Sequence, residues 1–286
     1  MISWLKHWYR FLNPKFQSIH LDYPVQFKPR FTPESRPHPQ LERLISSNIG
    51  VYQELLTKML EHKVAFSNWC HEAESTDSSK PSWENGFLPA LDMMALYTMI
   101  SYFKPNVYLE IGSGHSTKVS HCSKVDHSLS TKIISIDPQP RAMIDTLSDE
   151  VIRKKLEDVD VETLVDRLHT GDVLFIDNSH RMLPNSDATI VFTEILPRLN
   201  KGVIVHLHDI YLPYDYPQFM CDRYYSEQYG LAIAILANPN RYKTILPSFY
   251  ISEHKELSQL IAPIWALDKL NHGERHGGSY WLQIDD

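Results

Sequence analysis

Cysteine is scarce in this chain. Cys70, Cys122 and Cys221 are three in 286 residues, odd in number and without CxxC spacing. That removes a disulfide framework and leaves reduced thiols in a cytoplasmic protein as the expectation. A basic excess is lacking as well: the net charge is -7 and the pI near 6.1, which argues against a general nucleic-acid binder. No uninterrupted apolar stretch has the length of a membrane span. The opening Met1–Leu12 has neither a continuous apolar core nor a small-residue cleavage site, so a signal peptide is not expected there. Internal repeats are also missing.

What is present is an ordinary globular composition, 43% apolar and 22% charged, enough for one large core with a small appended region. The aromatic start reads as a short helix expected to pack on its own domain, with a membrane surface or a partner protein as the alternatives. Residues 13–40 carry Pro14, Pro24, Pro29, Pro33, Pro37 and Pro39, a density that predicts an extended linker. From Leu41 to Val64, apolar residues recur at three- and four-residue steps and predict one amphipathic helix, with Gly50 as a place for a kink. A polar, serine-rich hinge over Glu72–Lys80 then divides an N-terminal extension, 1–80, from a main domain, 81–286.

The main domain is organised around Val107–Val119. An apolar run ends in Glu110-Ile111, then Gly112-Ser113-Gly114 permits a tight turn and close backbone approach. Ser116 and Thr117 stand where a helix begins and caps are needed. A second strand, Lys132–Asp137, ends in a carboxylate about 20 residues on, where a doubly wound sheet places the acid that holds ribose hydroxyls. Asp172–Asp177 and Val203–Asp209 repeat the pattern of an apolar strand ended by an acid. Weaker strands are predicted near Val151-Ile152, over Tyr242–Ile251 and over Gly278–Ile284. Helices are predicted over 118–128, 142–147, 161–168, 184–199, around 231–236 and over 256–270. Strands alternating with 10 to 15 residue helices predict right-handed parallel crossovers.

The ordered set Glu-Ile-Gly-Ser-Gly-His-Ser-Thr, Ile-Asp-Pro, Phe-Ile-Asp-Asn-Ser-His and Val-His-Leu-His-Asp-Ile resembles the class I S-adenosylmethionine-dependent methyltransferases. The resemblance is to the bacterial group related to catechol-type O-methyltransferases and cephalosporin hydroxylase-like proteins, and it covers roughly residues 83 to 286. It implies an α/β, Rossmann-like, doubly wound sheet of seven strands, mostly parallel with an antiparallel last strand, beside the N-terminal helical extension. It also implies methyl transfer from S-adenosylmethionine to a small hydroxylated acceptor, a phenol or a sugar.

By the same resemblance the cofactor lies against Glu110, Gly112, Ser113, Gly114, Ser116 and Asp137, with Asp158 toward the adenine. Trp83, Phe87 and Asp92 are placed near it. Asp177 and Asp209 stand where catechol-type relatives hold a divalent ion such as Mg2+, and His180 stands at the position of their base. Ile210 departs from that pattern, as does histidine where those relatives carry lysine. On the residues alone, four strand-end carboxylates on one rim need neutralising by a cation or by hydrogen-bond donors. His206, His208 and Asp209 form an alternative, nitrogen-rich set that suits zinc, manganese or iron, and so a hydroxylase or oxidoreductase on the same fold. A non-catalytic binding subunit is the other alternative, and Thr117 disfavours a nicotinamide dehydrogenase. Tyr211–Phe219 with Asp222–Tyr225 are candidates to cover an acceptor. A homo-oligomer is compatible with the sequence.

Overall fold

The computed structural model describes residues 2–69, 79–140, 144–267, 270 and 274–286. Cys70, most of the hinge expected over 72–80 and the start of the helix expected at 142 lie outside them. Among the described residues no helix is long and apolar enough to cross a membrane.

Seven strands form one sheet in the order β3-β2-β1-β4-β5-β7-β6. They are β1 (Val107–Ile111), β2 (Lys132–Ile136), β3 (Glu150–Ile152), β4 (Val173–Ile176), β5 (Ile204–His208), β6 (Tyr242–Pro247) and β7 (Ser279–Ile284). The first five are parallel, and β7 runs antiparallel to both of its neighbours. The expected doubly wound architecture is therefore observed. Its cause is visible in β4, whose Val173, Leu174, Phe175 and Ile176 are all buried. Helices cover both faces of such a strand, and each apolar side chain removed from water contributes roughly 1.5–3 kcal/mol. Strand order reverses between β1 and β4, so their carboxyl ends open a crevice between diverging connections.

The N-terminal part differs from expectation in three ways. In the helix α1 (Ile2–Leu12), expected to pack on its own domain, the described side chains Leu5, Tyr9 and Leu12 are 61%, 63% and 71% exposed. The single helix expected over 41–64 is three, α2 (Pro39–Ser46), α3 (Ile49–Glu61) and α4 (Lys63–Ser67). The chain breaks at Ser47-Asn48, not at Gly50. Ser47 Oγ donates to the Leu44 carbonyl at 2.7 Å and Asn48 Nδ2 to the Thr244 carbonyl at 3.2 Å, so side chains compete with the helical ladder there. Leu41, Ile45, Tyr52, Leu56 and Met59 nevertheless bury in the same apolar cluster as the sheet.

The proline-rich segment is extended as expected, yet it is more than a linker. Backbone N–H groups of Arg30 and Phe31 donate to Asp215 Oδ2 at 2.7 and 3.1 Å, Asp215 N donates to Phe31 O at 2.8 Å, and His38 N donates to Pro213 O at 2.9 Å. Gln218 Nε2 donates to Phe27 O at 2.7 Å. The segment is thus strapped across the tyrosine-rich loop that follows β5.

Of the remaining helices, α5 (Ala90–Phe103) packs against the crossover helix α6 (His115–Asp126), and α7 (Val161–Val165) precedes β4. The helix expected over 184–199 winds as α8 (Asp187–Ile190), a π turn and a 3-10 turn at Pro197, where no N–H is available to continue the ladder. After α9 (Gln218–Cys221) and α10 (Glu227–Ala237), the strand expected to reach Ile251 stops at Pro247 and turns into α11 (Ser248–Glu253). The helix expected over 256–270 is divided into α12 (Lys255–Leu260) and α13 (Ala262–Trp265), with Pro263 at the restart.

Candidate active site

A cleft of about 1220 Å³ opens at the carboxyl ends of β1, β2, β4 and β5. Gly112, Ser113, Gly114, Ser116, Asp137, Asp177, His180 and Asp209 line it together. Glu110 and Asp158 are not part of its wall; Glu157, beside Asp158, is.

Each placement has a local cause. Gly112 follows β1 with φ 83°, and a Cβ there would lie 2.0 Å from the Asp177 carbonyl oxygen. The glycine is required by the close approach of β1 and β4 as well as by the left-handed turn. Its N–H donates to Ile136 O at 2.9 Å, which fixes the turn to β2. Ser113 then donates from both N and Oγ to Asp137 Oδ2, at 3.0 and 3.1 Å, while Gln139 N donates to Oδ1 at 2.8 Å. The carboxylate closing β2 is held at the rim beside the glycine turn.

Glu110 is fully buried and receives hydroxyl hydrogens from Thr117 at 2.5 Å, Ser135 at 2.6 Å, Ser116 at 2.9 Å and Tyr108 at 3.3 Å. Burial pushes its carboxyl up to about 7, against the pull of those four donors. In this arrangement Glu110 braces the turn and the start of α6 from beneath. Two hydroxyls expected to cap α6, those of Ser116 and Thr117, are turned inward to it; Thr117 also accepts from Gly114 N at 3.0 Å.

Across the cleft, His180 is the centre of a charged cluster. Its Nε2 lies 3.5 Å from Asp177 Oδ1 and 3.5 Å from Asp209 Oδ2, and its Nδ1 lies 2.5 Å from Oε1 of the buried Glu227. Burial opposes a charge on this ring. The attraction and hydrogen bond of Glu227, with Asp209 and Asp177 behind them, outweigh it and push the imidazole up to about 9. The ring also stacks on Tyr225 at 4.5 Å. His180 and Asp209 both have left-handed backbones, φ 62° and 55°, and such strained non-glycine positions persist only where their surroundings fix them. For His180 the surroundings are plain: its carbonyl accepts from Ser226 N at 2.8 Å, and its N–H donates to Asn178 Oδ1 at 2.7 Å.

His180 Nε2 lies 3.5 Å from both Asp177 and Asp209, the two carboxylates expected to share a magnesium ion, and among the described residues no three His, Cys, Asp or Glu side chains are grouped to hold a metal. The alternative His206, His208 and Asp209 set is not assembled either. His206 lies in the core, stacked on Trp281 at 3.9 Å and against Phe175 at 4.7 Å, whereas His208 Nε2 meets Phe87 O at 3.0 Å.

The pre-strand residues separate. Phe87 lines the cleft and stacks at 6.3 Å on His115. Trp83 is buried against Trp69, and Asp92 is buried with Gly278 N donating to it at 2.7 Å. Two site residues have no role in the sequence reading. Glu227, at the start of α10, matches no motif; an acid in a helix's first turn just after the tyrosine-rich loop was the available signal. His115 lies inside the glycine motif. Burial, aided by Lys118, pulls its ring down to about 4, and its buried Nε2 has no hydrogen-bond partner among the described residues.

No curated protein matches the chain. Among solved structures, an SAH-bound methyltransferase from Podospora anserina is 14% identical, with 80% of this chain and 88% of that one covered and a TM-score of 0.42. The plantazolicin methyltransferase BamL, in complex with a triazolic desmethylPZN analog and SAH, is 12% identical, with 84% and 100% covered and a TM-score of 0.38. Residues 109–210, from within β1 through the end of β5, match the family model described as a methyltransferase domain.

Proposed function

We propose that the chain is an S-adenosylmethionine-dependent O-methyltransferase acting on a small hydroxylated acceptor. The observation that carries this reading is that one cleft is lined both by Asp137 beside the glycine turn and by His180, which the buried Glu227 holds from behind. Asp137, presented with its oxygens at the rim, suits ribose hydroxyls. Gly114 leaves open space for a ligand. Bound there, S-adenosylmethionine supplies an electrophilic methyl group.

The residues of the chain do the remaining work. Glu227 holds Nδ1, so Nε2 is the ring atom that faces Asp177, Asp209 and the cleft. That nitrogen takes the acceptor's hydroxyl proton, and the imidazolium formed is stabilised by three carboxylates. A base at about 9 is well matched to a phenol of pKa about 10. A neutral histidine with a phenol, or an imidazolium with a phenolate, holds the same number of protons, so a high histidine pKa is compatible with carrying the acceptor as its anion. Tyr211, Phe219 and Tyr225 line the same cleft and offer rings to an aromatic or sugar acceptor.

Calorimetric titration of S-adenosylhomocysteine tests the reading. Saturable binding weakened at least tenfold by Asp137→Ala is expected, since the variant removes charge-assisted hydrogen bonds. No binding to the wild-type protein would overturn it.

A further inference from the structure

Tyr225 carries two guanidinium groups on its ring. The Cζ of Arg223 lies 5.1 Å from the ring centroid and that of Arg181 5.4 Å, and all three residues line the cleft. Arg181 is held by carbonyls alone: its Nε donates to Arg223 O at 2.8 Å and Nη1 to Ser179 O at 3.1 Å.

Neither arginine forms an ion pair with a described carboxylate. The acids that could supply one are spent elsewhere. Asp187 accepts from Ser179 N at 2.9 Å, Ser179 Oγ at 2.5 Å and Ala188 N at 2.7 Å. Asp222 accepts from Gln218 Nε2 at 2.8 Å, and Asp177 and Asp209 both face His180. Two like charges over one ring repel each other and lack a counter-ion, in a protein whose net charge is -7. The same ring stacks on His180 at 4.5 Å, so the cation pair is about one side chain away from the atom that takes the acceptor proton.

We infer that Arg181 and Arg223 form an anion subsite, and that the acceptor carries an oxyanion group about one ring away from the hydroxyl that is methylated. Guanidinium groups pair with carboxylate in a planar, bidentate way, and Tyr225 presents its ring to the part of the acceptor between the two ends. The inference rests on the proposed function and names its substrate class, a hydroxylated ring bearing a carboxylate or an equivalent oxyanion.

The test is a matched pair of probes, 3,4-dihydroxybenzoate and its neutral isostere 3,4-dihydroxybenzamide, titrated calorimetrically into the whole protein with and without S-adenosylhomocysteine. The carboxylate is expected to bind at least tenfold more tightly, with the advantage lost in Arg223→Gln and in Arg181→Gln. In the wild-type protein alone, raising the salt concentration is expected to weaken the benzoate and leave the benzamide unchanged. Equal affinity for the two probes, or binding of neither, would overturn the subsite. Loss of S-adenosylhomocysteine binding strikes the proposed function instead, because the preference for carboxylate is read in its absence as well.

Discussion

Glu227 and His180 share a hydrogen bond of 2.5 Å although 47 residues separate them, and Glu227 N also approaches the carbonyl of His180 at 3.3 Å. The histidine is thereby held at its ring and at its backbone by the same helix start. Replacing Glu227 by Gln keeps the shape and removes the charge that contributes most to raising the imidazole. The pH profile of kcat/KM is expected to rise toward about pH 9 in the wild type and to shift to lower pH in Glu227→Gln, with the plateau reduced roughly 10- to 100-fold as the base weakens. An unshifted profile would show that Glu227 does not act through His180.

Removing the imidazole itself is more severe. His180→Gln is expected to lower kcat about 10²- to 10⁴-fold, the range for loss of a general base, while affinity for S-adenosylhomocysteine stays within about threefold. Single-turnover kinetics beside calorimetry separate the two effects.

Glu110 makes stability depend on pH in a definite direction. Its folded carboxyl is raised to about 7, so between the unfolded value of about 4.3 and 7 the folded protein holds a proton that the unfolded chain has released. Stability from this group is therefore full below that window and falls as the pH rises through it. Denaturant midpoints across pH 4 to 8 are expected to show the fall, and Glu110→Gln to flatten it.

At Gly112 a methyl group would strike the Asp177 carbonyl in a left-handed backbone. Gly112→Ala is expected to destabilise the fold by about 3 kcal/mol or more, which chemical denaturation would measure. The opposite sign is expected at His206, whose two ring nitrogens are buried between Phe175 and Trp281 without partners among the described residues. His206→Phe removes that unmet polarity and should stabilise by about 1–3 kcal/mol; a loss of stability would mean that the nitrogens are satisfied after all.

The sheet was legible in the sequence because its parallel strands are apolar runs that end in an acid, and Asp137, Asp177 and Asp209 did come to one rim. Glu110 shares the pattern but sits two residues earlier in the register, inside β1, where it is the packed base of the turn and four hydroxyls meet it. Periodicity could not show the break after α2, because Asn48 leaves the ladder for Thr244, 196 residues away. Glu227 was hidden for a similar reason: its partner is distant in the chain, and an acid opening a helix usually signals no more than a favourable dipole. The exposed side of α1 reflects the limit of reading an apolar stripe, which shows that a face is greasy and not what covers it.

The position of β7 sets an order of events for biosynthesis. The strand lies between β5 and β6, pairing with both, and it follows every other strand of the sheet in the chain, at Ser279–Ile284. Until those residues leave the ribosome, β5 presents a bare edge and β6 has no neighbour, so the nascent chain carries unpaired strands that invite aggregation. Deleting residues 279–284 would remove the strand that joins β5 to β6 in one sheet.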